Sequence, residues 1–205
     1  MTTLLQFNNV EIDKGNTLSF NVAAGETLVL QVSSPEEKAA VIDMVLDEIV
    51  PAYGEIKFHG QPLAASKPGS IGWIPAGGGL ISNLKTWENI TLPLWYHHRP
   101  QNIATEETVA RWLVELELDK LEWEKFMASP AARLKPWERK LAGLLRGLVQ
   151  APQLLLVDAE LFDEVELSRS NAWIAALEKF VQAAEGRAVL VVASATTLLP
   201  WRIIE

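Results

Sequence analysis

An apolar run, Thr27-Leu28-Val29-Leu30, leads into VSSPEEKAA over Val32 to Ala40, and a helix-period segment continues from there to about Val50. Strand, short loop and Lys-headed helix is the layout of a phosphate-binding loop, G-x-x-x-x-G-K-[ST]. In that motif glycines let backbone N–H groups crowd a phosphate, the Lys reaches the terminal phosphates, and the hydroxyl holds Mg²⁺. Here Val32 stands for the first glycine, Glu37 for the second and Ala39 for the hydroxyl residue, so only Lys38 is kept.

The replacements form an ordinary helix start. Ser34 suits the N-cap, Pro35 suits the first helical position, and Glu37 at the third closes a capping box. A helix N-terminus attracts anions, but here Glu36 and Glu37 already supply them. A triphosphate would meet two carboxylates, at about 1 kcal/mol per charge pair in water and about 4 at an effective dielectric near 20 for ~4 Å separation. Millimolar binding is only about −4 kcal/mol in total. Two or three such repulsions remove physiological ATP affinity, and the loop reads as one that has lost its phosphate.

Composition narrows the field. The 205 residues suit one domain, or one domain with a lobe, and 49% hydrophobic content is ample for a core. A net charge of −8 argues against nucleic acid as a partner. The absence of cysteine excludes disulfides and thiolate chemistry and fits a reducing compartment. The start, MTTLLQFNNVEID, does not read as a signal peptide, and no stretch reaches the roughly 18 apolar residues of a membrane span.

In order, Leu4 to Gln31 reads as short strands and turns, with Leu18, Phe20 and Val22 alternating as on a half-buried strand. A helix is expected over Ala39 to Val50, with Ala40, Val41, Met44, Val45 and Ile49 on its apolar face. Pro51 to Gly60 reads as turn, strand, turn; a short strand is expected over Ser70 to Pro75 and a turn at Gly77-Gly78-Gly79. The apolar segment Asn83 to Tyr96 is expected to break at Pro93 and to end at His97-His98-Arg99-Pro100. Helices follow over about Thr105 to Leu116, Lys120 to Met127, from Pro136 through Leu148, and Ser168 to Ala184. Leu154 to Val157 and Ala188 to Val192 read as buried strands. The alternation argues for an α/β fold with a mainly parallel sheet.

These residues, in this order, resemble the ATP-binding-cassette (ABC) ATPase domain of membrane transporters. The resemblance rests on the Lys-headed helix, Tyr53-Gly54-Glu55-Ile56, Ile71-Gly72-Trp73-Ile74, Leu134 to Leu148, Leu154-Leu155-Leu156-Val157-Asp158 and, most specifically, LKTWENITLPL over Leu84 to Leu94. It covers nearly the whole chain, and its wording is nearest to importer-like and lipid-transport ATPases. It implies a P-loop NTPase-like fold: a parallel core, an N-terminal antiparallel portion and a helical subdomain over about 95–150 within a single domain 1–205. It also implies a pairing with a second ATPase subunit, as homodimer or heterodimer, and a place on the cytoplasmic face of the inner membrane. In the family LKTWENITLPL follows the loop that takes the permease's coupling helix, which makes Leu80, Leu84, Trp87, Ile90 and Leu94 the candidate permease-docking groove.

The family's chemistry is replaced at almost every step. The loop Gln that senses Mg²⁺ and the attacking water falls at Ala76. The signature LSGGQ falls at Leu134-Lys135-Pro136-Trp137-Glu138, the catalytic Glu at Ala159 and the switch His at Ser194; no aromatic for adenine stands near Ile12 to Lys14. Water positioning and charge stabilisation are the catalytic work in such enzymes. Lys38 and Asp158 remain as remnants of the nucleotide site. Lys38 is expected to pair with a carboxylate or stay solvated, and Asp158 to brace the loop. Glu160 could replace the missing Glu but reads as a solvated carboxylate, since catalysis depends on placement within about 1 Å. The triglycine could form an anion nest but reads as a turn. His97-His98 lacks a third ligand, so no metal site is expected. Trp73, Trp87 and Trp137 read as core.

Three functions stay open. One is a catalytically inactive ABC ATPase-like subunit that docks a permease as scaffold or regulator, with no cofactor. Another is a divergent ATPase with weak Mg-ATP binding. The third is a stand-alone interaction module. The C-terminal part reads as shortened relative to the family.

Overall fold

The computed structural model describes residues 2–96 and 104–205. The chain divides into two compact units, residues 1–73, 153–159 and 181–205 in one, and 74–152 with 160–180 in the other. The helix-rich unit is thus wider than the 95–150 read from the sequence. His97-His98 and the polar linker at Gln101-Asn102 lie outside the described residues.

The first unit carries two sheets. β1 (Thr3–Asp13), β2 (Asn16–Ala23), β4 (Glu55–Phe58) and β5 (Gln61–Pro62) form an antiparallel sheet in the order β2-β1-β4-β5. β3 (Thr27–Gln31), β6 (Ile71–Ile74), β7 (Leu154–Asp158), β8 (Ala188–Ala193) and β9 (Arg202–Ile204) form a second, in the order β6-β7-β8-β3-β9. β7, β8, β3 and β9 run parallel. Every residue of β7 and β8 is buried, as strands covered on both faces require. Leu5, Phe7, Leu28, Leu30, Val41, Leu156 and Leu190 share one core. β9 was not expected; three residues are too few for alternation to register.

Helix α1 spans Pro35–Val45, starting at the Pro35 that the capping pattern puts first and ending five residues before Val50. Asp47 adopts a left-handed backbone (φ 60°) that ends it. Ile49, assigned above to the apolar face, therefore lies beyond the helix and is exposed, with Val50 and Tyr53 beside it.

The second unit is built from α2 (Thr86–Tyr96), α3 (Ala104–Glu115), α4 (Lys120–Ala128), α5 (Pro136–Gln150) and most of α6 (Leu167–Gln182). α5 is the centre, with Leu141, Leu144, Leu145 and Leu148 buried at helical spacing. α2 does not break at Pro93, which sits inside it. An interior proline costs a helix about 3 kcal/mol; the buried Thr86, Asn89, Ile90 and Thr91 anchor the turns before it. The fully enclosed tryptophans are Trp112 and Trp173, whereas Trp73, Trp87 and Trp137 are half-buried. Trp137 carries the Arg169 guanidinium over its ring at 4.0 Å.

Candidate functional site

Open parallel sheets present their ligands beyond the C-terminal ends of the strands. β3 and β7 flank β8, so the residues that follow β3 and the last residue of β7 meet at that end. Lys38, in the first turn of α1, places Nζ 3.1 Å from Asp158 Oδ1. Both residues are buried, at 8% and 7% exposure. Of the two states expected for Lys38, the paired one is observed, and Asp158 is its partner.

The loop before Lys38 is closed by its own side chains. Ser34 has an extended backbone (φ −149°, ψ 160°), and its Oγ accepts the Glu37 N–H at 3.1 Å. The Glu37 carboxylate does not complete the expected capping box on Ser34. It reaches one residue further back, where Oε2 accepts the Ser33 N–H at 2.8 Å. Its Oε1 accepts Asn16 Nδ2 at 2.7 Å, which ties the β1–β2 turn to the loop. The Lys38 N–H donates to Ser34 O at 3.0 Å, and the Val32 N–H to Ala193 O at 2.8 Å. A phosphate-binding loop works by aiming backbone N–H groups at an anion. In this chain the N–H groups of Val32, Ser33, Glu37 and Lys38 all have internal acceptors.

The other replaced positions follow suit. Ala76 and Ser194 are half-buried and Glu160 is exposed. At Leu134 to Glu138, Leu134 is buried, Pro136 opens α5, and Glu138 Oε2 accepts the Lys135 N–H at 2.7 Å. A carboxylate again serves a helix start. The triglycine is a turn. Gly78 (φ +81°) packs so closely on α5 that a Cβ there would lie 2.1 Å from Arg139 O, and one on Gly143 would lie 2.4 Å from Gly78 Cα. Among the described residues no group of three or more His, Cys, Asp and Glu could hold a metal.

Within the helical unit, Leu80, Leu84, Trp87 and Leu94 are half-buried. Ile90 is fully buried; it belongs to the unit's own core and cannot line a groove. Sequence reasoning passed over the apolar side chains that α2 does expose: Leu92, Trp95 at 63% and Tyr96 at 78%, with Ile81 ahead of the helix. The available signal was WY at the end of an apolar segment, but with apolar residues all round the helix, periodicity cannot say which stripe faces out.

TWENI has a mechanical meaning here. The Thr86 N–H and Oγ both donate to Ser129 O, at 2.9 and 3.0 Å. Glu88 Oε2 accepts the Lys85 N–H at 2.7 Å. The fully buried Asn89 accepts the Ile81 N–H through Oδ1 at 2.7 Å, and its Nδ2 faces the carbonyls of Ile81, Lys85 and Leu84 at 3.0, 3.1 and 3.3 Å.

This strand–loop–helix at the end of a parallel sheet, with an antiparallel sheet in the same unit and a helical unit inserted after β6, is the architecture of an ATP-binding cassette. The family model for ABC transporters matches residues 15–160, and the chain belongs to that family. It is 25% identical over 165 residues to the ergothioneine transport ATP-binding protein EgtV of Helicobacter pylori, covering 77% of this chain and 75% of that one. It is 21% identical over 168 residues to the intermembrane phospholipid transport system ATP-binding protein MlaF of Haemophilus influenzae, covering 76% of this chain but 61% of that one. Among solved structures, a dimeric ATP-binding cassette in a post-hydrolysis state with ADP and phosphate superposes with a TM-score of 0.74, at 17% identity, over 94% of this chain and 88% of that one. ATP-binding proteins of transport systems are thus among the relatives, and the expected fold is confirmed. No helix among the described residues is long and apolar enough to cross a membrane.

Proposed function

We propose that this chain is an ABC ATPase-like subunit that docks a permease in a membrane transport complex and acts there as a scaffold or regulator, without hydrolysing ATP. The observation that carries the proposal is the Glu37 carboxylate on the Ser33 N–H, beside a Lys38 already paired with Asp158. The residues present do not fit a magnesium triphosphate. Four of the loop's backbone N–H groups are committed, Ala39 offers no hydroxyl, and an incoming phosphate would face Glu36 and Glu37. In the family the site is shared between the loop of one subunit and the signature of the other. This chain departs from both halves, so in a dimer it impairs both sites. Its place is the cytoplasmic face of the membrane, through the Leu80, Leu84, Trp87 and Leu94 surface. Its charge of −8 keeps nucleic acid out of its partners.

Titrating the purified chain with Mg-ATP by calorimetry, beside a Glu36→Gly/Glu37→Gly variant, tests the loop. No heat up to millimolar nucleotide is expected for the parent chain. Saturable binding near micromolar would favour a second reading, a divergent ATPase, which draws on Lys38 and Asp158 still meeting at the sheet end. Leu84→Asp tests the docking: it is expected to release the chain from its membrane complex while the fold persists. Unaltered co-purification would instead favour a stand-alone interaction module.

A further inference from the structure

Two polar side chains in the helical unit, the fully buried Asn89 and the half-buried Arg146, bond the main chain of one loop. Asn89 bonds the N–H and C=O of Ile81 and reaches the carbonyls of Leu84 and Lys85. From α5, Arg146 forks over the turn just before, with Nη1 2.6 Å from Gly79 O and Nη2 3.1 Å from Gly78 O. Between these clamps lie Leu80 and Ile81, and Leu84 stands beside the second. Burial pushes the Arg146 guanidinium below its ordinary pKa. Even partial burial of a cation costs desolvation that its bonds to the two carbonyls have to offset. The contact between Gly78 and Gly143 closes the same turn from below. Four further bonds brace the segment: Gly78 N–H to Pro75 O, Leu84 N–H to Ile81 O, Ala131 N–H to Leu84 O and Ala132 N–H to Ser82 O, at 2.9, 3.2, 2.9 and 3.0 Å.

We infer that Asn89 and Arg146 are positioning residues that hold residues 78–85 in a preformed shape, so that this surface meets its partner as a rigid body rather than folding on contact. The inference rests on the docking surface proposed above and specifies how it is prepared. A preformed surface spares the ordering entropy that a flexible loop loses on binding.

Hydrogen exchange on the isolated full chain, followed amide by amide, tests it without the partner. In the parent chain the amides of Gly78, Ile81 and Leu84 are expected to be protected to a degree comparable with α5. Asn89→Ala should speed exchange at Ile81 and Leu84 by about tenfold or more while β7 and β8 stay unchanged. Arg146→Ala should do the same at Gly78, and Arg146→Lys, which keeps one donor group but not the fork, should restore part of that protection. Should a variant fold poorly, the parent chain still decides: exchange at Ile81 and Leu84 near the rate of free peptide overturns the inference. So does a rise spread evenly over the whole chain in the variants, since that marks general destabilisation. A failed docking proposal shows instead as Leu84→Asp co-purifying normally, and leaves the exchange pattern untouched.

Discussion

Two helix starts in this molecule use the same polar vocabulary for opposite ends. At the start of α1, Ser34 and Glu37 bond backbone N–H groups, Asn16 bonds Glu37, and Lys38 pairs with Asp158. At the start of α2, Thr86, Glu88 and Asn89 bond the backbone of neighbouring loops. The first set turns inward and occupies the N–H groups of Ser33 and Glu37 in the phosphate-binding loop. The second set also turns inward, yet props up a loop whose apolar side chains Leu80, Ile81 and Leu84 reach the surface. Satisfied hydrogen bonds close a site when they consume its recognition groups and open one when they hold recognition groups in place.

The comparison breaks most sharply at the buried ion pair. Asp158→Ala removes the carboxylate 3.1 Å from the buried Lys38 and should cost about 3–5 kcal/mol, whereas Lys38→Met/Asp158→Leu together should cost far less, within about 1 kcal/mol of the parent. Urea unfolding of the three chains checks this, and equal losses would mean that the pair is not the brace. Next is Asn89→Ala, which strands the Ile81 N–H and should cost about 1–3 kcal/mol by the same measurement. Glu37→Gln keeps the shape but weakens the bond to the Ser33 N–H, so a loss of about 1 kcal/mol is expected. If calorimetry then finds the variant binding inorganic phosphate where the parent does not, the carboxylate is what excludes the anion. The smallest effect concerns pH. Hydrogen bonds from Lys57 and Asn8 hold the exposed Glu55 carboxyl below its usual pKa of 4.5. A carboxyl whose folded pKa is lowered adds stability that is present above the unfolded value and is lost as pH falls through the folded one. Glu55→Gln should therefore flatten the acid limb of the stability profile slightly below that value and change little at neutrality.

Much of the fold was legible because its signals are local. β7 and β8 are continuous apolar runs, and α5 repeats leucine at three- and four-residue spacing, so each is specified within a few residues. The C-terminal end of α1 was not. Asp47 in a left-handed turn terminates the helix without the usual glycine, and Ile49 was placed on a face that no longer exists. Pro93 misled in the other direction, because the burial of Asn89, Ile90 and Thr91 outweighs one lost hydrogen bond. At the site, Ser34 capping Glu37 was readable from residue types and spacing. The reach of Glu37 to Ser33 and Asn16 was not, because Asn16 arrives from a distant turn.

Sequence alone determined the family-like order of elements, the replacement of nearly every phosphate-binding position, and the presence of one surviving lysine and one surviving aspartate. These are statements about which residues exist and how they are spaced. Only the tertiary structure decided that Lys38 and Asp158 neutralise each other, that Ile90 is core while Trp95 and Tyr96 are surface, and that Arg146 grips two glycine carbonyls. The two polar contacts depend on parts far apart in the chain brought within about 3 Å, where hydrogen bonds form. Helical periodicity also cannot tell a stripe that meets the chain's own core from one left facing out.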